Sequence, residues 1–110
     1  MSMSIKIKDA DGKEYTLAYT LRTIKQMSDN GFNINEAVSN PISGIPQLFA
    51  GAFLAYHRTT PKDKIDEIWA QIEHKEDFIN ALSSMYNEPV EKLFGEPAED
   101  SKKATWEVVK

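Results

Sequence analysis

Two short alternating runs near the start do most to limit what this chain can become. Met3, Ile5 and Ile7 alternate with Ser4, Lys6 and Lys8, and after "DADGK" (residues 9–13) Tyr15, Leu17 and Tyr19 alternate in the same way. Period-two runs on either side of an Asp-Gly turn predict a β-hairpin over residues 3–19. A two-stranded hairpin is marginal alone in water, so its apolar face must lie on something else. The partner layer has to come from the rest of the chain, and the rest of the chain is helical in period.

From Thr20 the spacing changes. Thr20 is placed to cap, Leu21, Ile24 and Met27 recur at helical intervals, and "DNG" (29–31) ends the run. Gly31 supplies the left-handed residue of the stop, with Phe32 folding back on the last turn. "NINEAVSNP" has room for one short helical turn before Pro41. A helix is expected from about Ile45 to His57, apolar or small on nearly every side and so central and buried, with Gly51, Ala52 and Ala55 admitting a close neighbour. Thr60 as N-cap, Pro61 as first helical residue and Asp63 at the capping-box position open the next helix. Ile65, Ile68, Trp69 and Ile72 then form a single apolar stripe. Phe78, Ile79, Leu82, Met85 and Tyr86 form a further apolar face, and a break or a continuous run at His74 and Lys75 are both compatible with the pattern. Pro89 to Phe94 reads as a last short helix ended by Gly95, after which "EPAEDSKKA" has the composition of a flexible linker. The expected architecture is α+β: a hairpin packed on four to five helices, one compact domain over residues 1–95, and a flexible C-terminal tail over residues 96–110.

A chain of 110 residues is long enough for one core without staples. Its net charge of −4 argues against a general polyanion binder, so no nucleic acid is expected as a partner. The absence of cysteine excludes disulfides and thiolate chemistry. The start "MSMSIKIKD" lacks the apolar run of a signal peptide. The longest apolar stretch, from Ile45 to Tyr56, is about half the ~20 residues of a membrane span. These features predict a small soluble cytoplasmic protein with no membrane association.

No residue pattern points to catalysis, a metal or a cofactor. His57 and His74 each fall at an expected helix end, where a cation would meet the negative end of the dipole; His57 has no second ligand at i+3 or i+4, and His74 has Asp77 at i+3 but no second His, which falls short of a metal-ligand pattern. "DADGKEY" superficially resembles a calcium loop, but its twelfth position is Thr20 instead of a glutamate and strands flank it. "SNPISGIP" matches neither a P-loop nor a dinucleotide fingerprint. Tyr15 and Tyr19 with Arg22 and Lys25 could stack bases, but the alternation places both rings with Leu17 on the packing face. A non-enzyme is the expectation.

The order of segments carries more. The series "YTLAYTLRTIKQMSDNGFNI", "LFAGAFLAYHRT", "MYNEPVEKLF" and "ATWEVV" resembles the small tail assembly chaperones of long-tailed bacteriophages and prophages of Gram-positive bacteria, over most of the chain from Tyr15 to Val109. The resemblance rests on packing and capping patterns. It implies a protein of the host bacterial cytoplasm that binds the tape measure protein, keeps it soluble and helps recruit the tail tube protein. It also implies a short form ending near this C-terminus and a frameshifted longer form. A chaperone of this kind needs exposed apolar surface and often self-associates to coat a long client. Its candidate partner-binding residues are Trp69, Ile72, Met85 and Tyr86 on the two helical faces, and Trp106 and Val108 in the tail. At helical spacing such residues are more often simply core. The competing expectations are a small structural tail or head–tail connector protein and, behind it, a nucleic-acid-binding regulator.

The tail itself, "EDSKKATWEVVK" (residues 99–110), hangs Trp106, Val108 and Val109 on a charged segment. In any strand it forms, Trp106 and Val108 share one side. The two expected roles are an added strand on the N-terminal hairpin and a hook for a partner.

Overall fold

In a computed structural model, residues 3–95 and 104–109 are described. The chain forms β1 (Ile5–Lys8), β2 (Glu14–Leu17), α1 (Leu21–Asp29), α2 (Ile34–Ser39), α3 (Pro41–Gly51), α4 (Lys62–Gln71) and α5 (Lys75–Phe94). This is the expected α+β architecture, an antiparallel hairpin followed by five helices. The expected tail lies mostly outside the described residues. Residues 104–109 show neither helix, strand, turn nor bend.

The hairpin pairs Ile5 with Leu17 and Ile7 with Tyr15, with Lys6 opposite Thr16 and Lys8 opposite Glu14. Ala10, Asp11 and Gly12 make the connection, closed by a bond from the Asp9 N–H to the Lys13 carbonyl at 2.9 Å. Gly12 has φ 87°, the left-handed residue that three-residue hairpin loops use. Tyr15, Leu17 and Tyr19 are buried, which settles the tyrosines as packing residues.

α1 starts and stops as its sequence specifies. Thr20 and Thr23 cap each other reciprocally. At the other end the Phe32 N–H bonds the Met27 carbonyl and the Gly31 N–H bonds the Ser28 carbonyl, both at 2.9 Å, with Gly31 at φ 95°. This pair of bonds is the Schellman arrangement, and it turns Phe32 into the core.

Three helix boundaries differ from expectation. α3 begins at Pro41, not Ile45, because a proline fits the first turn, where its missing N–H has no partner to lose. It runs through Pro46 and ends at Gly51, not His57. Beyond it the backbone tightens to three-residue turns, Phe53 N–H to Ala50 and Leu54 N–H to Gly51. α4 is capped by Pro61, whose carbonyl accepts from the Ile65 N–H at 3.1 Å; Thr60 makes no capping bond. α5 is one helix of 20 residues and passes through Pro89, so no separate last helix starts there. Leu82, Met85 and Tyr86 line its buried side, and that continuous burial outweighs the backbone bond that Pro89 cannot donate.

The break near residue 74 is real. α4 stops at Gln71, and His74, at φ 55°, stands immediately before α5. His74 therefore sits at the positive end of a helix, contrary to the expected placement at a negative end.

The core joins all layers. Phe49 of α3 lies at its centre, with ring centroids 5.1 Å from Phe53, 5.1 Å from Trp69 and 5.7 Å from Phe78. Tyr86 of α5 meets Tyr19 at 5.3 Å and Phe32 at 5.8 Å. Burying each such side chain contributes roughly 1.5–3 kcal/mol. Close approach depends on Gly44, where a Cβ would overlap the backbone of Ala37 in α2. Gly51 similarly admits the Met27 side chain of α1, the near neighbour that the small residues of this segment foretold.

Candidate functional site

A groove of about 480 Å³ opens between α3 and α4. Ile42, Pro46, Ala50, Phe53, Leu54 and Ile65 give it an apolar floor, and His57, Arg58, Lys62 and Asp66 stand among its polar lining. Ile42 is 89% exposed. A second hollow of about 220 Å³ shares Gln47, Ala50 and Leu54 with it and reaches Met27 and Phe32. The outer side of α3 thus carries apolar residues along two adjoining hollows, interrupted by Ser43 and Gln47. Sequence reasoning took α3 as wholly buried. A helix apolar all round in a domain this small has too few neighbours to cover every side, and that was the available signal.

The residues singled out from sequence separate into three groups. Met85 and Tyr86 are buried in the core at 1% and 7% exposure, so they offer no free surface. Trp69 is half-buried between Phe49 and Phe78, with the Lys75 ammonium 5.8 Å from its ring. Ile72 is half-buried and lines a separate cleft of about 400 Å³ with Ile7, Lys8, Asp9, Ile68 and Phe78. Trp106 and Val108 are 85% and 70% exposed. The structure brings none of the helical candidates together with the tail residues.

The hairpin tip is fixed to α4 by charge. Asp9 Oδ1 accepts from the N–H groups of Asp11 and Lys13, both at 2.9 Å, and Oδ2 faces the Lys64 ammonium at 3.2 Å. Burial on its own would raise the Asp9 carboxyl, but the Lys13 N–H, the Lys64 charge and the Asp11 N–H outweigh it and hold the group below its ordinary value of 3.8. Lys64 is raised in turn, first by its bond to Asp9. The acidic residues of this loop are thus engaged with protein groups, and among the described residues no cluster of His, Cys, Asp or Glu could hold a metal ion. Burial likewise raises the hydroxyls of Tyr19 and Tyr86, the former with a contribution from the latter. Tyr19 donates to the Leu48 carbonyl, a structural bond.

His57 also has a structural role. Its Nε2 accepts from the Thr16 N–H at 2.9 Å, and its ring meets Tyr15 edge-on at 5.1 Å. The adjoining Ala18 N–H bonds the Ala52 carbonyl at 3.1 Å. Together these bonds fasten the C-terminal end of β2 to the segment that follows α3. The outer side of β1 is different. Opposed residues in an antiparallel pair turn their backbone groups both inward or both outward. Thr16 points outward to His57, so Lys6 opposite it also points outward, and Lys8, two residues on, does the same. Among the described residues nothing bonds the backbone of Lys6 or Lys8 on that side.

Fold and surface together define a small hairpin-on-helices domain with an apolar groove beside α3 and, among the described residues, a β1 edge whose outward backbone groups have no bond. The chain belongs to the family described as Domain of unknown function (DUF5055), whose sequence profile matches residues 1–109. No curated protein and no solved structure matches it. Among the described residues no helix is long and apolar enough to cross a membrane.

Proposed function

We propose that this protein is a non-catalytic tail assembly chaperone of a bacteriophage or prophage, acting in the host cytoplasm on the tape measure protein and assisting assembly of the tail tube protein. The observation that carries the reading is the exposed apolar groove along α3, used in combination with the segment order described above. A helix laid in such a groove is held by apolar anchors at i, i+3, i+4 and i+7. On the receiving side Ile42, Pro46 and Ala50 recur every fourth residue along α3 and Leu54 follows just beyond it, and Arg58 and Lys62 suit an acidic flank on the client. A groove of this size matches a few side chains, so a long client would be held by many copies, each contributing weakly.

The test is co-expression with a fragment of a tape measure protein. The wild-type chain should keep the fragment soluble and co-purify with it. Ile42→Glu, at a position almost fully exposed, should leave the fold intact and weaken capture by at least about tenfold, the equivalent of ~1.4 kcal/mol. A fragment that stays insoluble beside the wild-type protein contradicts the reading, as does undiminished capture by Ile42→Glu.

A further inference from the structure

We infer that the open edge of β1 receives residues 104–109 from a second copy of this chain as an added parallel or antiparallel strand, linking copies head to tail. Three features converge on that occupant. The acceptor has unmet backbone groups: Lys6 and Lys8 direct their N–H and C=O groups away from β2, where among the described residues nothing bonds them. An unpaired edge of this kind is a template for another strand. The donor has unmet side chains: Trp106, Val108 and Val109 are exposed at 85%, 70% and 88%, and residues 104–109 contain no helix or turn that would have to be undone. Thr, Trp and Val are also the residue types that strands favour.

The third feature is that the two faces match. On β1, Ile5 and Ile7 are half-buried on the core side and Lys6 and Lys8 are exposed on the other. In the donor, Trp106 and Val108 fall on one side of a strand and Glu107 on the other. Seating Trp106 and Val108 beside Ile5 and Ile7 places Glu107 among Lys6 and Lys8, so apolar meets apolar and opposite charges meet on the solvent face. The 400 Å³ cleft completes the fit. It is lined by Ile7, Ile68, Ile72 and Phe78 together with Lys8, Asp9, Gln71 and Glu73, and by no residue of β2, so it lies along the free side of β1, where an added strand would project its apolar residues toward the four apolar ones. Asp9, buried against Lys64, and Glu73 also line it, while Glu107 points to the opposite face.

Donor and acceptor are different surfaces, so the contact is heterologous: each copy can give and receive at once, and growth need not close. This surface is separate from the α3 groove, so it leaves the groove free in every copy.

Complementation tests the inference. Light scattering after size exclusion should show the full chain self-associating as its concentration rises. Trp106→Glu disables the donor and Lys6→Pro removes an acceptor N–H; each should shift the chain to monomer, weakening association by at least about tenfold. Mixed together they should form a one-to-one dimer and nothing larger, since one intact donor and one intact acceptor remain. If Lys6→Pro does not fold, Lys6→Glu with Lys8→Glu serves as the acceptor variant, and Glu107→Lys should restore its partner. A full chain that stays monomeric overturns the inference. So does an assembly that survives both single variants, a mixture that stays monomeric, or protection of the 104–109 amides within the monomer, which would place the tail on its own hairpin. Ile42→Glu should leave self-association unchanged, which keeps this result separate from the client-binding test.

Discussion

The two edges of one hairpin have opposite fates. Toward its C-terminal end β2 is capped on the outward side, the Thr16 amide by the His57 imidazole and that of Ala18, just beyond the strand, by the Ala52 carbonyl. β1 presents Lys6 and Lys8 with nothing on their outward backbone groups among the described residues. The same local structure therefore serves two purposes. One edge anchors the sheet to the segment after α3, and the other remains available for pairing. Natural proteins that leave an edge exposed commonly blunt it with lysines, and both outward-facing residues of β1 are lysines. Their charge repels an indiscriminate strand and favours one that brings a carboxylate, as Glu107 does.

Substitutions can break this contrast at either edge. The largest effect belongs to Thr16→Pro, which removes the N–H that His57 accepts and pushes a ring toward its Nε2. It should destabilise the monomer by about 3 kcal/mol or more, visible as a collapsed chemical denaturation midpoint. His57→Leu keeps the packing beside Tyr15 and Phe53 but leaves the Thr16 N–H unpaired, which should cost about 1–3 kcal/mol by the same measurement. Equal stability of His57→Leu and wild type would mean that the bond contributes nothing to holding β2.

Asp9→Asn probes the hairpin tip. The Asp9 carboxyl is held below its unfolded value, so its contribution is complete above about pH 5 and is lost as pH falls through the folded-state value. Melting curves between pH 6 and pH 2 should show a smaller acid-induced drop for Asp9→Asn than for wild type, along with a lower melting temperature at pH 6. Parallel curves would show that the Lys64 pairing is not coupled to folding. The smallest effect on the monomer should come from Lys6→Pro. The lost N–H has no partner, and proline is tolerated where a strand's N–H faces solvent, so the cost should stay within about 1 kcal/mol while assembly is lost.

Much of this geometry was legible in residue spacing, and its limits were physical. The hairpin, its Asp-Gly turn and the α1 stop at Gly31 were readable because each depends on local chemistry over a few residues. The boundaries of α3, α4 and α5 were not, because prolines signal helix starts and interruptions alike. Pro41 opens a helix, Pro61 caps one from outside, and Pro46 and Pro89 lie within helices whose burial holds them. The site was less legible than the fold. An apolar residue reads the same whether buried, as Met85 is, or exposed, as Ile42 is, and only packing decides between them. The role of His57 was hidden for a related reason. Its partner, Thr16, lies 41 positions earlier, and no local pattern connects them. The tail, by contrast, stood out in the sequence because exposed Trp and Val in a charged segment conflict with their surroundings, and the structure keeps them exposed.

Amide hydrogen exchange on the full chain, measured at a dilute and at a concentrated condition, tests the contrast between the edges most directly. At low concentration the Thr16 and Ala18 amides should be protected nearly as well as the core helices, while those of Lys6 and Lys8 exchange fast. At high concentration the Lys6 and Lys8 amides should slow together with alternate amides among residues 105–109, with Thr16 and Ala18 unchanged. Protection of Lys6 and Lys8 that does not depend on concentration, or exchange at Thr16 and Ala18 as fast as at Lys6, would contradict the account.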